Sequence, residues 1–231
     1  MERFNKLYKK LEDSLKELFN QFIEPFVEPS VLKTSKQEYK NKDFDENESE
    51  YKLKIQAYTV LSHAAFESYF EEISLELMKK AFGEWDSNKK ISDVLLMQIC
   101  YLLSYREGKE RVMNLEIKKE NNKTNLPEIT QYLHHIDNLK GKAETFFHKQ
   151  IKENHGISLD YLLHIFIPVA ININQDTDMM NSLNKLKESR GEMAHKNSLS
   201  LTKIPTPTEI FNHVRNCLEL CKDIKTQCNN K

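Results

Sequence analysis

The sequence predicts an all-α protein, and three observations carry that prediction. Five glycines and six prolines in 231 residues leave few places where a helix is forced to break. Apolar residues recur at three- and four-residue intervals through most of the chain. A hydrophobic fraction of 39% beside a charged fraction of 30% provides both a core and solvated helix faces. The length fits a single domain over 1–231, divided into an N-terminal helix over 1–35, a charged linker over 36–47 and a bundle core over 48–231.

Taken in order, Phe4, Leu7, Leu11, Leu15, Leu18, Phe19 and Phe22 line one face of the first helix. Lys9, Lys10, Glu12, Asp13 and Lys16 face water, and the helix ends near Pro25. The stretch TSKQEYKNKDFDENESE lacks an apolar period and reads as a flexible connection. Over 48–82, Leu53, Ala57, Val60, Leu61, Phe66, Tyr69, Phe70, Ile73 and Leu77 keep helical spacing without a proline or glycine, so this is the central helix. In its middle, VLSHAAFESYFEEI, Ala64 and Ala65 let another helix approach closely while Phe66 and Tyr69 fill space.

Helices are then expected over 91–103, 130–152, 159–169 and 178–189, interrupted by the basic, Asn-rich KKENNKTNLPEI and, after Pro168, by ININQDTD. The turn-rich SLSLTKIPTPTE leads into a last helix with Ile210, Phe211, Val214, Cys217, Leu218, Cys221 and Ile224 on its apolar side.

The charges exclude several classes. Lys and Arg number 34 against 35 Asp and Glu, so no global field gathers nucleic acid, and any such role needs a local patch. No stretch approaches the roughly 20 apolar residues of a membrane span, and MERFNKLYKKLEDSLKELF has no signal-like apolar centre. A soluble, cytoplasmic protein without membrane contact is expected. Cys100, Cys217, Cys221 and Cys228 form no CxxC pair and read as reduced, packed thiols. His134 and His135 fall on different helix faces, and His63, His148, His155, His164 and His213 lack metal-ligand spacing, so neither a metal nor another cofactor is expected. The absence of a glycine-rich phosphate loop and of a GxSxG elbow removes kinase, NTPase and serine-hydrolase readings.

One motif points to chemistry. ESRGEMAHKN places Arg190 and His195 five positions apart, ahead of a PTP link. The arginine offers a planar fork of donors to phosphate oxygens, and an imidazole with an ordinary pKa near ~6.5 moves protons at neutral pH. A long helix with LSHAAFESYFEEI, a late R-x4-H motif and PTPTEIFNHV opening the last helix together resemble the HEPN superfamily, especially its RiboL-PSP-HEPN-like branch. The likeness is loose over 51–225 and tightest over 186–214.

The resemblance implies an antiparallel bundle of helices, here with additional ones, and a metal-independent endoribonuclease of a kind often used as a toxin or antiphage effector. It makes Arg190 and His195 the catalytic pair: the guanidinium stabilises charge at phosphorus and the imidazole serves the 2′-hydroxyl or the leaving 5′-oxygen, giving a 2′,3′-cyclic phosphate and a 5′-hydroxyl.

Spacing adds a constraint. Five residues of an ideal helix turn through about 500°, which leaves the two positions roughly 140° apart. Either Gly191 lets the helix loosen or end, or two protomers pair as in the family, so that two motifs line one cleft and a homodimer holds a composite active site. The chain departs from the family at Gly191, where many active relatives carry Asn, Asp or His. Glu192 either substitutes for that polar group or is a solvated helix-end glutamate.

Glu67, a carboxylate inside an apolar run, reads as an interior partner of Arg190 or as a structural hydrogen-bonding group. Lys196 and Asn197 are phosphate contacts or ordinary solvated residues. Over 182–203 five cations face two anions, a local charge of +3 that suits an RNA strand. The expected partners are the RNA substrate, a second copy, and an antitoxin or other defence-system protein. The competing readings are a non-catalytic HEPN module that binds RNA, nucleotide or a protein partner, and an all-helical scaffold.

Overall fold

The computed structural model describes residues 2–30, 38–43, 49–104, 129–153, 155–195 and 204–231, with the backbone alone at 129–134, 194 and 195. Its helices are α1 (Glu2–Phe22), α2 (Ser49–Asn88), α3 (Asp93–Ser104), α4 (Ile129–Glu153), α5 (Leu159–Phe166), α6 (Thr177–His195) and α7 (Pro207–Asn229). Strands β1 (Val27–Pro29) and β2 (Tyr39–Asn41) form one antiparallel pair. The all-α expectation therefore holds except for this hairpin. Contacts gather into two compact units, one of residues 1–73, 156–162 and 173–230, the other of residues 74–155, 163–172 and 231.

In the first unit α7 is the element on which α1, β2 and α6 pack. Ile210, Val214, Cys217, Cys221 and Ile224 are buried along one stripe as the sequence predicts, with Leu220 buried beside them, whereas Phe211 and Leu218 are half-buried. Thr206 caps this helix with a full capping box: its hydroxyl accepts from Glu209 N and the Glu209 carboxylate accepts from Thr206 N, while Pro207 takes the first helical position, where no N–H is required. α1 buries Phe4, Leu11 and Leu15 and ends before a 3-10 turn that contains Pro25.

Phe66 and Tyr69 are buried as expected, and Tyr69 Oη donates to Cys221 O at 3.0 Å. Close approach occurs at Ala65, which lines a cleft with Leu7 and Leu11 of α1, whereas Ala64 is exposed and takes no such part.

The charged linker is a further correction. Tyr39, Lys40 and Asn41 pair with Pro29, Glu28 and Val27, and Lys40 Nζ lies 2.8 Å from Glu28 Oε1. Tyr39 packs against Phe19 and Phe211 at ring-centre distances of 5.1 and 5.2 Å, and Asn41 Oδ1 accepts from Thr208 N at 3.1 Å. One aromatic and one amide anchor the strand, too little to produce an apolar period. Residues 31–37 and 44–48 of this stretch lie outside the described residues.

In the second unit α3 packs on α4, with Leu102, Ala143 and Phe146 forming a buried cluster. α2 runs on through Gly83, beyond the expected end at 82, because Trp85 is fully buried and its indole N–H donates to Asp137 Oδ1. Lys140 pairs with Asp86 in the same unit. The KKENNKTNLPEI segment lies outside the described residues except for Ile129, which opens α4.

Cys217, Cys221 and Cys228 are buried, and burial pushes the Cys217 thiol up to about 12. Cys100 corrects the packed-thiol expectation: it is exposed, on the side of α3 away from Gln98 and Leu102. A thiol reagent at pH 8 should accordingly modify one cysteine rapidly in the native chain and all four after denaturation. Rapid modification of several native thiols would contradict the buried stripe.

Candidate active site

α6 carries the motif on a helix longer than expected. The predicted end at 189 is overturned, since helical backbone continues through Gly191 to His195. A Cβ at Gly191 would meet nothing within 4 Å, so the glycine neither kinks the helix nor admits a close neighbour. Ser182, Leu183, Leu186 and Met193 are buried. Arg190, four residues after Leu186 and three before Met193, belongs to the same stripe. It is nevertheless exposed, and among the described residues none gives it a hydrogen bond or an ion pair.

Polar contacts hold this helix from two sides. Near its start Ser182 Oγ accepts from Asn216 Nδ2 at 3.0 Å and lies 3.2 Å from His213 Nδ1, which ties α6 to α7. Burial lowers the His213 pKa, Glu209 opposes that shift and Lys185 adds to it. Near its end the Met193 carbonyl, one of the last-turn acceptors without a helical donor, receives Gln56 Nε2 of α2 at 2.5 Å.

The face of α2 that presents Gln56 also presents His63 and Glu67, about two and three turns further on. His63 is 4% exposed, and its Nδ1 stands 3.9 Å from Glu67 Oε2. Burial pushes the imidazole below its ordinary value, Glu67 pulls it back up and the charge of Arg190 pushes it down again.

Glu67 Oε1 accepts the N–H of Gly156. Gly156 sits at φ 124°, a conformation that favours glycine, so the loop before α5 is shaped to deliver that N–H. Tyr161 Oη donates to Glu71 Oε1 at 3.0 Å, one turn beyond.

Of the residues picked from sequence, Arg190 stands exposed on α6, and Glu67 on α2 accepts the Gly156 N–H. Glu192 is exposed on α6. His195 belongs to the last turn of α6, with its side chain outside the described atoms, and Lys196 and Asn197 lie outside the described residues. Sequence reading passed over His63, Gln56 and Gly156. The signal for the first was present as H-x3-E, an i, i+4 pair on the central helix.

A sequence model of the RiboL-PSP-HEPN family matches residues 28–230, and the chain belongs to that family. This places it among nuclease or RNA-related helical modules. No curated protein and no solved structure matches the chain. Among the described residues no helix is long and apolar enough to cross a membrane.

Because Gly191 lies inside regular helix with open space around it, Gly191→Ala should raise stability by about 0.5–1 kcal/mol. Thermal unfolding followed by circular dichroism checks this, and a fall in Tm would mean that the helix needs the glycine.

Proposed function

We propose that the protein is a metal-independent endoribonuclease that cleaves RNA by attack of a 2′-hydroxyl, leaving a 2′,3′-cyclic phosphate and a 5′-hydroxyl. The observation that carries this reading is the exposed guanidinium of Arg190, without a hydrogen bond or ion pair among the described residues, on a helix tied to α2 by Gln56 in a chain of an RNA-related family. A cation in that setting is available to phosphate, whereas an arginine already committed to Glu67 would not be. His195 supplies proton transfer, Glu67 supports the site, and Lys196, Asn197 and Glu192 border the strand. The biological role in this reading is that of a cytoplasmic toxin or antiphage effector, held in check by an antitoxin or another defence-system protein.

The reading includes a homodimer. Leu53 and Leu61 are 59% and 44% exposed, and with Ala57, Val60 and Ala64 they follow helical spacing along α2, beside the face that carries Gln56 and His63. An uncovered apolar stripe next to the motif suits a second copy, which would bring two motifs to one cleft. The competing module without catalysis draws on Gly191, which leaves no polar side chain directly after Arg190.

With purified protein and RNA in EDTA, cleavage with cyclic-phosphate ends is expected; 5′-phosphate ends would indicate a metal-activated water instead. Arg190→Ala and His195→Ala should each lower kcat at least about 100-fold with helical content unchanged. A folded alanine variant that cleaves at the wild-type rate ends this reading. Leu61→Glu should convert the dimer to monomer in sedimentation and abolish cleavage, and an active monomer would remove the composite site.

A further inference from the structure

Within the first unit a groove opens between α1 and α7, and Tyr39 of β2 joins its wall. It holds a cavity of about 330 Å³, within the range of small-ligand pockets, which begins at about 300 Å³. Leu15, Tyr58 and Val214 line it from the buried interior. Phe19, Tyr39 and Phe211 are half-buried, line the same cavity and meet at ring-centre distances of 4.9 to 5.2 Å. Their planes cross at 52°, 52° and 82°, so none is stacked on another. The hairpin, an addition to the helices, supplies one of these three rings.

Two cations stand beside the rings. Phe19 meets Phe211, and Lys225 Nζ lies over the Tyr8 ring at 4.3 Å, so α1 and α7 run antiparallel. Lys16, one turn before Phe19, therefore comes level with Arg215, one turn after Phe211, and both line the cavity. The Arg215 guanidinium lies over the Phe211 ring, 5.8 Å from its centre. Lys16 is exposed, and among the described residues none gives it a hydrogen bond or an ion pair. Glu12 and Glu24 line the cavity too, but Glu12 stands 4.0 Å from Lys9 and Glu24 lies past the end of α1. The middle of the groove is thus positive and adjoins an aromatic wall.

We infer that this groove binds a flat aromatic ring that carries a phosphate, the chemistry of one nucleotide, either free or as an unpaired residue of a single RNA strand.

The ring lies against Phe19, Tyr39 and Phe211, where stacking accepts any base, since every base has a π-face. The phosphate lies between Lys16 and Arg215, where an ammonium and a guanidinium fork engage its oxygens. A base inside a duplex has no free face to offer the wall, so an unpaired one is required. Such binding needs neither Arg190 nor His195 and is independent of cleavage.

Calorimetric titration of the Arg190→Ala chain, whose motif lacks its phosphate-binding cation, tests this with adenosine monophosphate, adenosine, inorganic phosphate and a 2′-O-methyl adenosine pentanucleotide, which lacks the attacking hydroxyl. The monophosphate should bind at least about tenfold more tightly than adenosine or inorganic phosphate. Lys16→Ala and Arg215→Ala should each weaken the monophosphate about tenfold and leave adenosine unchanged. Tyr39→Ala should weaken monophosphate and adenosine alike, by about tenfold or more. Equal affinities for monophosphate and pentanucleotide identify a free nucleotide as the ligand; a pentanucleotide bound at least about tenfold more tightly, and equally sensitive to Lys16→Ala, identifies an unpaired residue of RNA.

A chain that binds neither monophosphate nor pentanucleotide overturns the inference, as does binding that survives both Lys16→Ala and Tyr39→Ala. Should Tyr39→Ala not fold, the probes alone test the ring contact: inorganic phosphate that binds as tightly as the monophosphate overturns it. A Tyr39→Ala chain whose oligomeric state changes in sedimentation, when the parent binds no nucleotide, assigns the groove to a second copy instead.

Discussion

Burial of the α7 stripe is the constraint on which the first unit depends. α1, β2 and α6 each meet this one helix, so its apolar side decides what can be placed around it. Burial alone is non-directional. Register comes from the polar groups that accompany it: the Thr206 capping box fixes where α7 starts, Asn41 engages the first turn at Thr208, and Ser182 meets His213 and Asn216. Those bonds are satisfied only when α6 lies in one position along α7, so a hydrophobic contact that would tolerate sliding becomes a specific one.

The exposure of Arg190 follows from this arrangement. Its stripe buries Leu183, Leu186 and Met193 and includes the arginine by position, yet the guanidinium remains accessible. A long stem can follow an apolar surface while its charged head stays in water. The cation is consequently next to the packed interior without being inside it, where an unpaired charge would be strongly disfavoured. His63, buried on α2, experiences the opposite conditions: burial lowers its pKa, Glu67 opposes that shift and the Arg190 charge adds to it.

Much of this was legible in the sequence, and the failures have physical causes. α1 and α7 stand where their amphipathic spacing puts them, because each has one wet and one dry side. α6 reads as ending at 189, because Gly191 and its charged neighbours weaken the local signal, whereas Met193 and the Gln56 bond extend the helix from outside it. The hairpin is invisible to periodicity since its strands have three residues each and one contains Pro29.

At the site, Arg190 is found by its motif and Glu67 by its incongruity in an apolar run. His63 is found by neither, since a histidine among alanines and aromatics looks like packing until the carboxylate one turn away is seen 3.9 Å from its Nδ1.

The fully buried Trp85 has a consequence for how this molecule can be watched. It is the single tryptophan of the chain, and it lies in the second unit, with its indole N–H on Asp137, whereas His63, Glu67 and Arg190 all lie in the first. Indole fluorescence therefore reports the surroundings of Trp85 in the second unit. The first unit has its own chromophores, among them the buried Tyr51, Tyr58 and Tyr69. Recording both signals as the chain unfolds distinguishes one cooperative transition from two, a distinction that tryptophan emission alone would conceal.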